Sequence, residues 1–249
     1  MKIFRVGLLL AVMGAGTLRA ETVAEQLIAG YERVQSVSCE IRRDMETSAR
    51  KMRWLSRVYF QRPDRLHVDN SAPLPRRIVA DGTNFFSYAE GDRKGFSRPI
   101  AQLDTDMLIS LRKIPGTAMD HLLRLRGLAE TNLPATAAFS VRRGYAAAKT
   151  FVVLSLDASN RLIRVEFFAT AEQRQKTAQY DYSAFQEVAP GAWIPCLHKG
   201  VFNLGGVESY ETTRVNNLAV NQAIPPKLFD HDLFFQKVEF VGSFDEIYK

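Results

Sequence analysis

VYFQRPDRLHVDN (residues 58–70) and RRIVADGTNFFSYAEGDRKG (residues 76–95) are runs in which apolar and polar residues alternate between turn-forming residues. A period of two bounded by Pro, Gly, Asn and Asp is the signature of short strands joined by tight turns. The pattern extends outward in both directions. SVSCEIRR and KMRWLSRVYFQ precede it, and AAFSVRRGY, AKTFVVLSLD, RLIRVEFFA, KTAQYDYSAF, AWIPCLHKGVFN and VESYETTRVNNLAV follow. Asp157-Ala158-Ser159-Asn160 and Leu204-Gly205-Gly206 supply hairpin turns. The reading gives about ten or eleven strands in an antiparallel meander, and a sheet of that size must curl or close.

Two segments break the period. TVAEQLIAGYERVQS places Val23, Leu27, Ile28, Tyr31 and Val34 at helical spacing. Thr22 is the expected N-cap, with Glu25 as its capping-box partner. Between Ile100 and Ala129, Leu103, Met107, Leu108 and Leu111 are in helical register, and Ile114-Pro115-Gly116 interrupts them before a second piece at 119–128. The fold class is therefore α+β and mainly β, with helices between the halves of the sheet, suited to act as a lid or plug on its concave face. In 54–60 one alternation gives Trp54, Ser56, Val58 and Phe60 and the other Leu55, Arg57 and Tyr59, so both faces carry large apolar groups. Periodicity leaves two readings of this open, a thick core or a ligand cavity.

The chain has 249 residues, 46% of them hydrophobic, and a net charge of +6. Its first twenty residues read as a secretory signal peptide: Lys2 and Arg5, a short apolar run, then Thr17-Leu18-Arg19-Ala20. The run is too short for a spanning helix. Cleavage after Ala20 removes three basic residues, so the net charge of the mature domain, 21–249, falls to +3. Basic residues come as dispersed pairs, Arg42-Arg43, Arg76-Arg77 and Arg142-Arg143 among them, which argues against a nucleic-acid partner. Export to an oxidising compartment makes Cys39 and Cys196 candidates for one disulfide, the alternative being two buried small apolar side chains.

Catalytic motifs are missing. There is no Gly-rich phosphate loop, nucleophile elbow, H-E-x-x-H or C-x-x-C, and His67, His121, His198 and His231 are scattered. No catalytic residue, metal ligand or cofactor is expected. Asp104-Thr105-Asp106 and Asp230-His231-Asp232 sit where helix or tail elements begin, where acidic residues act as caps.

The opening stretches resemble the LolA-like periplasmic lipoprotein-carrier family, which shows an Arg-Pro after an aromatic strand and then a hydrophobic-Asp-Gly-aromatic-Tyr hairpin. Here these are Arg62-Pro63 and Val79, Asp81, Gly82, Phe85, Phe86 and Tyr88. LDASNRLIRVEFF looks like the family's later hairpin. RVNNLAVNQAIPPKLF looks like its closing motif, at Asn221, Ile224, Pro225 and Phe229. The resemblance implies an unclosed antiparallel barrel around a hydrophobic cavity lidded by helices. It implies a non-enzymatic, monomeric periplasmic carrier that takes acylated lipoprotein or lipid cargo from an inner-membrane donor and delivers it toward an outer-membrane acceptor.

It further implies that Arg62 holds the lid by donating to lid backbone carbonyls; read alone, the residue is a turn arginine facing water. The cavity-wall candidates are Trp54, Phe60, Phe85, Tyr88, Phe96, Phe151 and Phe167. The tail DLFFQKVEFVGSFDEIYK has no place in the family pattern. The rival reading is a lipid-sensing or protein-binding module on the same fold, and a lipid hydrolase is disfavoured by the missing nucleophile and base.

Overall fold

The computed structural model describes residues 20–204 and 206–247. The expected leader, residues 1–20, lies outside them apart from Ala20, and so does Gly205 of the second expected hairpin turn. The described chain opens with α1 (Val23–Glu32), whose capping box at Thr22 and Glu25 forms as its residue types demand. The Glu25 amide donates to Thr22 Oγ1, and the Thr22 amide donates to Glu25 Oε2 at 2.8 Å. The next first-turn amides also find partners. Val23 donates to Glu130 Oε2 and Ala24 to the Tyr145 hydroxyl, so the free amides of the helix start are satisfied by side chains far along the chain.

Six strands follow: β1 (Ser36–Thr47), β2 (Lys51–Gln61), β3 (Arg65–Ala72), β4 (Arg76–Asp81), β5 (Asn84–Ala89) and β6 (Gly95–Pro99). Each pairs antiparallel with the next. The chain then leaves the sheet for α2 (Thr105–Arg112) and α3 (Met119–Leu125). Asp104 caps α2 by accepting from the Met107 amide at 2.8 Å. A second meander runs through β7 (Glu130–Leu133), β8 (Val141–Ala147), β9 (Thr150–Leu156), β10 (Leu162–Phe168), β11 (Lys176–Ala189), β12 (Ala192–Leu204) and β13 (Val207–Val220). Asp157 closes the β9–β10 turn by accepting from the Ser159 and Arg161 amides, and Asn160 takes the left-handed conformation there. Pairing of β1 with β13 joins the two meanders into one sheet.

Among the described residues the sheet has 14 strands in the order β14-β6-β5-β4-β3-β2-β1-β13-β12-β11-β10-β9-β8-β7. It does not close, since its edges are β7 and β14 (Phe240–Val241). The strands beyond the eleven sequence runs are β6, β7 and β14, of five, four and two residues. Elements that short hold too few residues to establish a period of two.

The tail is not a loose end. Its Phe235 joins Val79 and Phe86 in a buried cluster on the convex face, with Phe234, Val238 and Phe240 packed against it. His231 stacks on Phe86 at 4.0 Å, and β14 runs parallel to β6 with the Gly95 amide donating to Glu239 O at 2.8 Å. Gly95 is required here, because a Cβ on it would stand 2.5 Å from the Phe240 ring.

The main core lies in the concavity. Ala24, Ile28 and Tyr31 of α1 and Leu111, Met119, Leu122 and Leu125 of α2 and α3 pack with Phe60, Tyr145, Leu154 and Ile194 from the inner face of the sheet. Each such aliphatic side chain contributes about 1.5–3 kcal/mol by leaving water. The helices are thus anchored in the barrel rather than resting on its rim.

Candidate functional site

Register pairing assigns the faces. Ile41 lies opposite Ser56 and Val215, Arg43 opposite Trp54 and Thr213, and Val58 opposite Val68. Tyr182 lies opposite His198, and His198 opposite Thr213. All of these but Val215 line a cavity of about 460 Å³, roofed by residues 113–121 of the α2–α3 connection and the first turn of α3. Its two walls differ. From β1–β3 come Ile41, Trp54, Val58, Leu66 and Val68, with Arg43, Ser56 and Asn70 between them. From β11–β13 come Tyr180, Tyr182, His198, Glu211 and Thr213, none of them aliphatic.

The roof is held by backbone and charge. Gly116 takes φ +78°, and Thr117 Oγ1 donates to Ile114 O at 2.7 Å. Lys113 and Asp120 form an ion pair at 3.4 Å, and Arg43 pairs with Glu211 at the same distance. Burial alone would raise the Asp120 carboxyl, but Lys113 and His121 hold it below its ordinary value. His121 is pushed down by burial, and its ring packs against Phe167 and Tyr180 at 5.1 and 5.0 Å. His198 is pushed down to about 4, chiefly by burial and then by Arg43. Both shifts favour the neutral imidazole, and the four charged residues of the lining pair as Lys113–Asp120 and Arg43–Glu211.

The overall fold, an unclosed and mostly antiparallel sheet with helices in its concavity, resembles that of solved structures. A putative outer membrane lipoprotein-sorting protein domain from Vibrio parahaemolyticus superimposes with TM-score 0.58 at 10% identity, over 85% of this chain and 96% of that one. The fold is LolA-like. A DUF1329 family protein from Desulfovibrio piger ATCC 29098 superimposes with TM-score 0.51 at 12% identity, over 85% of this chain and 95% of that one. No family model and no curated protein matches the sequence.

The sequence-derived wall residues divide between the faces. Trp54 lines the cavity, and Phe167 stands beside it against His121 and Tyr180. Phe60, Phe85 and Phe96 point inward but are consumed in the packed core, Phe60 being 0% exposed. Tyr88 and Phe151 are corrections. Tyr88 packs on the convex face beside Phe235 of the tail. Phe151 clusters with Val153 and Phe168 on that same outer side, where Gly144 leaves it room. Alternation fixes which residues share a face, but not which face is concave, and both faces here are apolar.

Arg62 neither faces water nor reaches the α2–α3 roof. Its Nε donates to Val34 O at 2.9 Å and its Nη2 approaches Tyr31 O at 3.5 Å, so the guanidinium closes the C-terminal end of α1. It also lies 5.6 Å from the Phe60 ring. Arg62 therefore ties the end of the opening helix and the residues just after it to the start of the sheet.

Cys39 and Cys196 are free thiols. They sit on β1 and β12, with β13 between them. Strands two places apart are separated by about 9–10 Å, more than a disulfide spans. The reading as small buried side chains is the one the fold adopts for Cys39, whose thiol is pushed up to about 12 mainly by burial. Asp230, His231 and Asp232 bring ligand atoms within 4.8 Å of one another, but Asp230 accepts from the Asp232 amide and His231 is stacked on Phe86, as a capped tail turn would have them. The polar cavity residues Lys113, Asp120, His121, His198 and Glu211 were not singled out by the sequence reading as a site. The two-residue spacing of Tyr180 and Tyr182 on one strand was their only local signal.

Proposed function

We propose that this protein is a non-enzymatic binding protein of the bacterial periplasm that shelters the acyl part of a lipoprotein or related lipid and passes it toward the outer membrane. The observation that carries the reading is the cavity: an apolar wall from β1–β3 faces a roof made by the α2–α3 connection, inside a LolA-like sheet. Each buried CH₂ of an acyl chain gains about 0.8 kcal/mol. A short apolar wall is enough for reversible capture. Deeper entry of a chain displaces Leu111, Met119 and Leu122 from the concavity, so their burial opposes the gain from the cargo and keeps binding reversible.

The likeness to a putative lipoprotein-sorting domain accords with this reading. A sensor or protein-binding role is the second reading, favoured by the tight packing of Leu122 and Ile114, each 0% exposed, which describes a closed state. The two are separated by offering the protein a phospholipid that carries a photoactivatable diazirine in its acyl chain and mapping the cross-links. Adducts on 54–68 and 110–121 are expected. Adducts confined to the convex face, or none, would move the assignment to the protein-binding module.

A further inference from the structure

The unequal walls of the cavity point beyond a simple acyl slot. On the β1–β3 side the polar groups already satisfy one another: Ser56 Oγ meets Asn70 Oδ1 at 2.5 Å, and Arg43 is committed to Glu211. What remains on that wall is aliphatic and indole surface. Across the cavity, β11–β13 present two tyrosines, Thr213 donating to Glu211 at 3.0 Å, and His198, whose Nε2 is buried without a hydrogen-bond partner among the described residues. Buried polar atoms are rarely left unpaired, because each orphan carries a desolvation cost that a partner would remove. Ligand sites combine a mostly apolar lining with a few polar groups that orient the ligand, and this cavity separates the two along its width.

We infer that the cavity is built for a single-chain amphiphile with an uncharged, hydroxyl-bearing head of the glycerol type, its chain along β1–β3 and its head against His198 and the tyrosines of β11–β13. The inference rests on the binding role proposed above and adds the chemical class of the ligand. An ionised head is disfavoured by the charge pattern. Lys113 and Arg43 are already paired, so an incoming carboxylate would meet Asp120 and Glu211 beside them, and a cationic head would meet Lys113 and Arg43. A hydroxyl both donates and accepts, so it pairs with a neutral imidazole nitrogen in either tautomer. A bare hydrocarbon would leave His198 unpaired.

Trp54 lines the cavity and the only other tryptophan, Trp193, does not, so a Trp193→Phe background turns Trp54 into a private reporter. Monopalmitoylglycerol, palmitate and hexadecane are titrated below their aggregation limits while Trp54 emission is followed. Monopalmitoylglycerol is expected to bind at least about tenfold more tightly than either of the others, the equivalent of about 1.4 kcal/mol. His198→Phe, which keeps an aromatic ring against Tyr182, is expected to shrink that preference to within about threefold, and His198→Gln to retain most of it. Equal affinity for the three ligands, or a preference untouched by His198→Phe, would overturn the head-group inference and leave acyl binding standing. No binding of any of the three would overturn both.

Discussion

Gly116 lies against Val215 so closely that a Cβ on Gly116 would stand 2.5 Å from Val215 Cγ2. This contact seats the α2–α3 connection on the inner face of the sheet and so sets the roof of the cavity. Gly116 also has a positive φ, which a side chain resists. Gly116→Ala is expected to destabilise the domain by about 2–4 kcal/mol, from overpacking and the left-handed conformation together. In a double-mutant cycle with Val215→Ala, urea unfolding should reveal a coupling of about 1 kcal/mol or more. Strict additivity would mean that the two residues do not meet.

Arg62 serves the end of α1, and its removal should act there. Arg62→Leu forfeits a charge-assisted hydrogen bond to Val34 O and is expected to cost about 1.5–3 kcal/mol. Hydrogen exchange should speed up selectively in α1 and leave α2 and α3 nearly as protected as before. Faster exchange spread equally over 105–125 would instead make Arg62 a latch for the roof.

Tyr145 ties the first helix to the second meander. Its hydroxyl accepts from the Ala24 amide at 3.0 Å and donates to Glu130 Oε2 at 2.8 Å. Tyr145→Phe keeps the ring and takes the acceptor from the Ala24 amide, while Glu130 Oε2 still accepts from the Val23 amide, so a loss of about 1–3 kcal/mol is expected. A thermal shift indistinguishable from wild type would show that water replaces the hydroxyl.

Two half-buried imidazoles whose protonation is opposed by desolvation give the fold a defined response to acid. The unfolded chain protonates a histidine near pH 6.5, while folded His198 resists until about 4. Between these values the unfolded state binds more protons, so stability falls as pH falls through that window and His198 has no effect above it. His121, also held down by burial, acts in the same direction. The expected contribution approaches about 1.4 kcal/mol per pH unit for each such group inside its window. His198→Phe should flatten the urea-midpoint profile between pH 6.5 and 4, and an unchanged profile would show that the ring is solvated in the folded protein.

Much of the architecture was legible because it is carried by local rules. Thr22 and Glu25 announced α1, Asp104 announced α2, Pro115-Gly116 announced the break before α3, and period-two runs announced the long strands. What stayed hidden depends on relations between distant segments. Val58 and Tyr59 alternate plainly, yet only the pairing of β1 with β13 makes the Val58 side the concave one. The tail failed to announce itself because Phe234, Phe235 and Phe240 pack on a patch of the convex face around Val79 and Phe86 that comes from strands far away in sequence. The charged cavity residues escaped notice because Arg43, Lys113, Asp120 and Glu211 look like ordinary solvated positions until two ion pairs bring them under one roof.

The tail contact has its own test. Phe235 is buried against Val79 and Phe86, so Phe235→Ala removes a large ring from a small satellite core. A destabilisation of about 3 kcal/mol is expected, with proteolysis beginning in 226–247. Cleavage beginning in 100–128 would place the weak point at the roof instead.

The most direct test of the binding role is native mass spectrometry of the protein released from cells without detergent, followed by solvent extraction and identification of whatever leaves it. The expected result is a stoichiometric acylated lipid or lipoprotein that Trp54 and roof substitutions deplete. A mass equal to the bare chain, together with no uptake of added acyl lipid, would contradict the account.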